Sequence, residues 1–138
     1  MTESRMRIQI SQEGAEMAKI LIAEDSDTEL AFLKEILKET DHELTITRDG
    51  LEAEAAAKGS KFDLIILDVI MPGKNGFQVC RTLKKDPEHK DTPVILLTSK
   101  SENSDKFWGM KQGADEYITK PYNPVDLLLA IKQHLGAK

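Results

Sequence analysis

Carboxyl, hydroxyl and amino side chains stand directly after four short segments of this chain that are typical of β-strands. In chain order they belong to Glu24, Asp25, Asp68, Thr98, Ser99 and Lys120. Together they include a nucleophile, oxygen ligands for a hard divalent cation, and donors for the oxygens of a phosphoryl group. The set indicates phosphoryl transfer to a carboxylate, provided that the fold brings these side chains together.

The segment from Phe62 to Gly73 carries the central member of this set. Leu64–Leu67 is a continuous apolar run, as in strands buried on both faces of a parallel sheet. Asp68 ends the run, and residues 71–73 (Met-Pro-Gly) predict a turn. A single aspartate at a strand end usually begins a solvated loop. Because the other strand ends also carry reactive groups, we favour a functional carboxylate here.

Five strand–helix units are predicted to position these groups. The strands are predicted at residues 19–23, 44–48, 64–67, 94–97 and 116–119, and a helical pattern follows each of them. This alternation predicts an α/β fold with a doubly wound, five-stranded parallel sheet and helices on both faces. Ligands of such sheets bind outside the carboxyl ends of the strands, so the reactive side chains are expected at one edge.

Electrostatics indicates how the acids share that edge. Glu24, Asp25 and Asp68 would repel one another and raise their pKa values unless a cation lay among them, and Mg²⁺ is the usual cation beside a phosphate. Lys120 and Thr98 would then contact the phosphoryl oxygens. Asp68 is the preferred nucleophile because its strand lies between the other groups, while the acidic pair suits the metal. Phosphate-binding glycine loops and serine-nucleophile motifs are absent from the sequence.

These motifs together resemble the receiver domain of bacterial response regulators. The resemblance covers about Lys19 to the C-terminus and rests on Glu24-Asp25, Asp68 with Met71-Pro72-Gly73, Thr98-Ser99, Tyr117 and Lys120-Pro121. It implies a flavodoxin-like fold. It also implies that Asp68 takes a phosphoryl group from the phosphohistidine of a histidine kinase or phosphotransfer domain.

The resemblance also implies a metal site. Mg²⁺ would be held by Asp25, Asp68 and the main-chain carbonyl of Ile70, with Glu24 acting mainly through water. Glu24 stands where the family more often has aspartate, so the charge is kept on a longer side chain.

A phosphate clamp and a switch are implied in the same way. Thr98, the Ser99 amide and Lys120 would hold the phosphoryl oxygens, and the Lys120–Pro121 peptide bond would be cis. Thr98 would move towards the phosphoryl group and let Tyr117 turn from an exposed to a buried position. From the residues alone, Tyr117 is equally well interpreted as a half-buried strand aromatic.

Ile70 and the complete set of reactive residues distinguish a phosphorylated regulator from two alternative functions. Its side chain, two residues after the acceptor, cannot orient an attacking water, so we expect slow loss of the phosphoryl group. A small aspartyl-phosphate phosphatase would need a second aspartate at this position. An interaction module that is never phosphorylated would be expected to lack an acid, the threonine or the lysine, and none is missing.

The predicted fourth and fifth helices should carry the output. A protein partner is expected on the surface from Asn103 to Leu135, contacted by Tyr117 and Trp108. Phe107 and Met110 are predicted to pack inward, which would leave Trp108 at the margin. Trp108 is then either a partly buried residue or an anchor for the partner.

A finer resemblance lies in the fourth helix. Residues 105–109 (Asp-Lys-Phe-Trp-Gly) and 112–114 (Gln-Gly-Ala) are similar to the single-domain regulators of type IV pilus twitching motility and phototaxis.

Composition sets the remaining expectations. A net charge of −5 without a basic cluster argues against nucleic acid or an anionic membrane as a partner. The chain has no apolar run of membrane-spanning length, and its single cysteine, Cys80, suits a reducing cytoplasm. Residues 1–17 are predicted to be a flexible extension and residues 18–138 the receiver domain. No separate DNA-binding domain fits, and we expect a monomer or weak dimer.

Overall fold

A computed structural model describes residues 17–136 of the chain. The extension predicted for residues 1–17 therefore lies outside the described residues, apart from Met17. Residues 137 and 138 at the end of the predicted domain also fall outside them.

Strands and helices alternate along the described chain. The strands are β1 (Lys19–Ala23), β2 (Glu43–Thr47), β3 (Leu64–Leu67), β4 (Val94–Thr98) and β5 (Glu116–Thr119). The helices are α1 (Asp27–Leu37), α2 (Gly50–Gly59), α3 (Gly76–Lys85), α4 (Asn103–Lys111) and α5 (Pro124–Gly136). None of these helices is both long and apolar enough to cross a bilayer.

The five strands form one parallel sheet in the order β2-β1-β3-β4-β5. The chain first runs outward from β1 to β2, then returns to place β3 on the other side of β1. Strand order therefore reverses between β1 and β3, where this class of sheet binds its ligands. The predicted doubly wound α/β fold is confirmed, with the strand that precedes Asp68 at the centre.

Alternating strand residues build two apolar layers, one on each face of the sheet. On one face Leu21, Ile65, Leu67 and Leu96 pack with the buried sides of α2 and α3. On the other face Ile20, Ile22, Leu64 and Ile66 pack with α1 and α5. Because both faces of the central strands are covered, these segments are apolar throughout rather than alternating with polar residues.

Side-chain caps start the helices directly after the strand-end loops. Ser26 caps α1, because its hydroxyl oxygen accepts a hydrogen bond from the Glu29 amide at 3.2 Å. Asn75 and Gln78 form a reciprocal capping box at the start of α3. Since each cap fixes where a helix begins, it also fixes the length of the loop that carries the functional groups.

The predicted inward packing of Phe107 and Met110 is wrong. Their side chains are 64% and 48% exposed, and Trp108 between them is 49% exposed. The residue of α4 that faces the sheet is Gly109, where an added Cβ would lie 2.9 Å from the side chains of Leu96 and Tyr117. Because the helix backbone approaches the sheet so closely at Gly109, the large apolar side chains are turned outward.

Buried ionisable groups predict a loss of stability in alkali. Burial raises the pKa of the Cys80 thiol from 9.0 to about 11, and burial raises that of Tyr122 from 10.0 to about 12. Acidic groups with raised pKa values stay neutral in the fold at pH values where they ionise in the unfolded chain. The stabilisation from Cys80 is therefore complete below pH 9 and is lost as the pH rises towards 11, and that from Tyr122 is complete below pH 10 and is lost towards pH 12.

We expect Cys80 alone to lower the free energy of unfolding by about 2 kcal/mol between pH 8 and pH 10.5. Urea unfolding at the two pH values measures this difference. The Cys80→Ala variant is the control and should show a smaller decline. A free energy of unfolding that stays constant across this range in the unaltered chain would contradict the expectation.

Candidate functional site

Three carboxylates meet where strand order reverses. Glu24 and Asp25 follow β1, and Asp68 follows β3, which pairs with β1 in parallel. One carboxylate oxygen from each of the three residues lies within 4.8 Å of the others. The structure thus brings together the acids that the sequence pointed to.

The ammonium group of Lys120 joins two of these acids. It lies 2.7 Å from Glu24 Oε1 and 2.9 Å from Asp68 Oδ2. Lys120 follows β5 at the edge of the sheet, so its side chain extends across the end of β4 to reach the central strands. A third acid, Glu29 in the first turns of α1, lies 3.8 Å from the same nitrogen.

Backbone amides hold the remaining oxygens of the buried acids. Asp68 Oδ1 accepts a hydrogen bond from the Ile70 amide at 3.0 Å. Glu24 Oε2 accepts one from the Ser26 amide at 3.1 Å. Both carboxylates are therefore fixed at two oxygens each, which orients Asp68 without depending on its exposed neighbour Asp25.

The charges of the site do not balance. Glu24 is 3% and Asp68 6% exposed, and burial raises the pKa of Glu24 despite hydrogen bonds from Lys120 and Ser26. Burial opposes the charge of Lys120, but its hydrogen bonds to Glu24 and Asp68 outweigh this effect and raise its pKa. At neutral pH, Glu24, Asp25 and Asp68 in ionised form beside the Lys120 ammonium group would leave a charge of −2, and the nearby Glu29 adds to this negative excess. A divalent cation bound by oxygen ligands would offset the excess and suits these donors.

The predicted phosphate-binding residues lie beside this cluster. Thr98 is completely buried at the end of β4, and its carbonyl accepts a hydrogen bond from the Lys120 amide at 2.8 Å. Ser99 follows it and is exposed. The Lys120–Pro121 peptide bond is cis, as the sequence resemblance implied.

Lys100 connects the two predicted switch residues through its backbone. Its amide donates to Thr98 Oγ1 at 3.3 Å, and its carbonyl accepts from the Tyr117 hydroxyl at 2.7 Å. The Tyr117 ring is half-buried beside Gly109, and burial raises the pKa of its hydroxyl to about 12. Sequence reasoning missed this role of Lys100, since it depends on main-chain atoms.

Arg48 was also missed. It donates to the carbonyl oxygens of Glu24 and Asp25, both at 3.1 Å, and it forms an ion pair with Asp27. Arg48 directly follows β2, so the rule that parallel strand ends meet at one edge could have identified it.

Gly76 positions the loop that carries the central acid. Its amide donates to the Val69 carbonyl at 2.9 Å. A Cβ at this position would lie 2.2 Å from the Asp68 carbonyl oxygen and 2.8 Å from Val69 Cα. Only glycine allows the start of α3 to approach the acceptor loop this closely.

Trp108, the predicted partner residue, lies on the outer surface of α4 and is not part of the strand-end cluster.

Residues 20–132 match the response regulator receiver domain family. This chain therefore belongs to the response regulator receiver domain family, as the sequence resemblance indicated. Protein PilH of Pseudomonas aeruginosa is 43% identical over 120 residues, which cover 87% of this chain and 99% of PilH.

Solved structures of receivers have the same fold. The receiver domain of a signal transduction histidine kinase from Syntrophus aciditrophicus superimposes with a TM-score of 0.81 and is 42% identical, covering 87% of this chain and 91% of that domain. The Mn²⁺-bound form of the response regulator Rcp1 gives a TM-score of 0.74 at 33% identity, covering 84% of this chain and 90% of Rcp1.

Proposed function

We propose that this chain is a response regulator of a two-component system that accepts a phosphoryl group on Asp68. The donor is the phosphohistidine of a histidine kinase or phosphotransfer domain. The observation that carries the proposal is the position of the Lys120 ammonium, 2.9 Å from Asp68 Oδ2 at an edge that also holds Glu24 and Asp25. The chain's own catalysis is limited to its phosphorylation and dephosphorylation.

The chemistry assigned to the side chains is a single transfer. An Asp68 carboxylate oxygen attacks phosphorus, the phosphorus–nitrogen bond to the donor breaks, and the imidazole nitrogen keeps the electron pair. Lys120 donates hydrogen bonds to the phosphoryl oxygens as their charge develops, together with Thr98 and the Ser99 amide. The Ile70 amide holds Asp68 Oδ1, and the other carboxylate oxygen, Oδ2, lies 2.9 Å from the Lys120 ammonium group.

Mg²⁺ fits the acidic side of this site. Asp25, Asp68 and the Ile70 carbonyl would hold it directly, and Glu24 would act through water. When bound, the ion would neutralise negative charge on the acids and on the phosphoryl oxygens. The Mn²⁺-bound form of Rcp1, a response regulator similar to this chain, supports a divalent cation here.

The output is proposed to be a change in the surface from Asn103 to Leu135. A phosphoryl group adds nearly two negative charges and three acceptor oxygens next to Thr98. If the Thr98 hydroxyl turns towards them, its bond to Lys100 is lost, and Lys100 also holds the Tyr117 hydroxyl. Movement of Tyr117 would then alter the face that a protein partner contacts, with Trp108 as an anchor.

The biological setting is proposed to be pilus-based motility or phototaxis in the cytoplasm. The sequence of α4 and the 43% identity with PilH support this setting. Residues 18–138 are proposed to form the receiver domain after an extension of residues 1–17. The domain would act as a monomer or weak dimer and bind neither nucleic acid nor membrane.

Intact-mass spectrometry after incubation with acetyl phosphate tests this proposal. We expect one added phosphoryl group with Mg²⁺, little addition with EDTA, and none in the Asp68→Asn variant. Asp91→Asn is the matched control and should be labelled normally, because it changes an exposed aspartate that precedes β4, whereas the site lies where the strands end. Absence of any addition would favour an interaction module that is never phosphorylated, and labelling of Asp68→Asn would assign the acceptor elsewhere.

Ile70 should make the phosphoryl group long-lived. Its side chain is 54% exposed beside the acceptor and offers no atom that could orient a water. We expect the Ile70→Asn variant to lose the phosphoryl group roughly tenfold faster than the unaltered chain, because the asparagine amide could orient a water. This acceleration is smaller than that of a fully positioned general base. A time course of intact mass after removal of the donor measures the rate. Ile70→Val should remain slow, and loss within seconds from the unaltered chain would refute this interpretation.

A further inference from the structure

A groove of about 360 Å³ lies between α3 and α4, away from the strand-end site. It is lined by Arg81, Lys84, Lys85, Trp108, Lys111 and Gln112, of which four are basic and none is acidic. We propose that this groove is a docking site for an acidic segment of a partner protein, with carboxylates on either side of an apolar side chain.

Most of the positive charge in the groove is uncompensated. Lys84 is neutralised by Asp115 at 2.9 Å and also donates to the Thr92 carbonyl at 2.8 Å. Arg81, Lys85 and Lys111 form no salt bridge with any residue between 17 and 136. Arg81 and Lys85 therefore leave positive charge at the groove of a chain whose net charge is −5, and Lys111 adds a third cation, whose ammonium group also lies 5.6 Å from the Phe107 ring centroid. This local excess is complementary to carboxylates.

Trp108 supplies the apolar part of the groove. Close packing at Gly109 turns it outward, and its carbonyl accepts a hydrogen bond from the side chain of the buried Gln112 at 3.2 Å. A half-exposed tryptophan beside cations on a fixed helix is a typical anchor in protein interfaces. The partner segment should therefore carry an apolar side chain as well as acids.

The net charge of the chain favours a short protein segment over larger polyanions. A charge of −5 repels any polyanion at long range, and the repulsion grows with the number of negative charges that approach, so nucleic acid and anionic bilayers are disfavoured most. A short peptide brings few charges and can place them beside the basic residues of the groove. The groove adds α3 to the partner surface proposed above, and its binding does not require phosphorylation of Asp68.

Trp108 allows a direct test because it is the only tryptophan in the chain. The probe is the peptide Glu-Glu-Leu-Leu-Glu-Glu, titrated into the unphosphorylated full chain while tryptophan fluorescence and the polarisation of a labelled peptide are followed. We expect saturable binding that changes Trp108 emission and weakens as salt is added. Peptides with glutamine for glutamate, or glycine for leucine, should bind about fivefold more weakly or worse.

Charge reversal locates the site. We expect Arg81→Glu with Lys85→Glu to weaken peptide binding by about tenfold or more. The matched control reverses Lys34 and Lys58, two exposed cations in the last turns of α1 and α2, and should bind within about twofold of the unaltered chain. Circular dichroism checks that both double variants are folded.

Three results would overturn the proposal: no binding of the peptide, equal weakening by the two double variants, or equal binding of the glutamine peptide. Tighter binding of duplex DNA or anionic vesicles that depends on Arg81 and Lys85 would also overturn it. No phosphodonor is used, so failure of this test leaves the function proposed for Asp68 unaffected.

Discussion

Gly76→Ala is expected to lower the free energy of unfolding by about 3 kcal/mol or more, at the upper end for overpacking. An added Cβ would lie 2.2 Å from the Asp68 carbonyl oxygen and 2.8 Å from Val69 Cα. Both contacts are with backbone, so the side chains cannot rearrange to relieve them. Either α3 or the loop that carries Asp68 must move, and the variant should also accept the phosphoryl group more slowly.

Urea unfolding followed by Trp108 fluorescence measures the change in stability. Gly59→Ala is the matched control, because it adds the same methyl group to the last residue of α2, where no atom lies within 4 Å of the new Cβ. We expect Gly59→Ala to be neutral or to stabilise by less than about 1 kcal/mol. If the two variants were equally stable, close packing at Gly76 would not be what positions the acceptor loop.

Lys120→Met is expected to destabilise the chain by about 3 kcal/mol at pH 7, as in other cases where one partner of a buried ion pair is removed. Glu24 and Asp68 would lose the ammonium group at 2.7 and 2.9 Å and would remain buried side by side. The deficit should shrink as the pH falls towards 5. Burial already raises the pKa of Glu24, and loss of Lys120 would raise it further, so protonation would remove the repulsion.

Unfolding at pH 7 and pH 5 measures both effects. Lys132→Met removes an exposed lysine from α5 and should change the free energy of unfolding by less than about 0.5 kcal/mol at either pH. A Lys120→Met variant that behaves like this control would mean that the acids do not depend on Lys120 for their stability in the fold.

Much of the architecture could be predicted because its three central strands, β1, β3 and β4, are buried on both faces. β1, β3 and β5 have the predicted bounds, and β2 and β4 differ by one residue at their ends. Continuous apolar runs and helical spacing are local signals, and strand–helix alternation restricts the topology to few arrangements. The reversal point then follows from the strand order without knowledge of any side-chain contact.

The cluster of acids and Lys120 could be predicted for the same reason. Parallel strands end at one edge, so residue types at strand ends are enough to place Glu24, Asp25, Asp68 and Lys120 together. Their distances and burial could not be read from the chain. The contributions of Lys100 and Gly76 depend on backbone atoms, for which side-chain identity gives little signal.

The packing of α4 shows where the sequence pattern failed. The spacing of Phe107 and Met110 favoured an inward apolar face, but α4 packs through Gly109 instead. Close backbone contact at one glycine decided which way the helix turned. The same orientation of α4 exposes Trp108 and places it among the basic residues of the groove. The sequence pattern did not predict this surface.

Borohydride reduction tests the central claim, that the shared edge makes Asp68 the phosphoryl acceptor. Hydride reduces an acyl phosphate to an alcohol, so an aspartyl phosphate leaves homoserine at the position that carried it. After phosphorylation with acetyl phosphate and Mg²⁺, peptide sequencing by mass spectrometry should find homoserine at position 68 alone. A reduced residue at position 24 or 25, or an intact carboxyl at position 68 in the phosphorylated protein, would contradict the account.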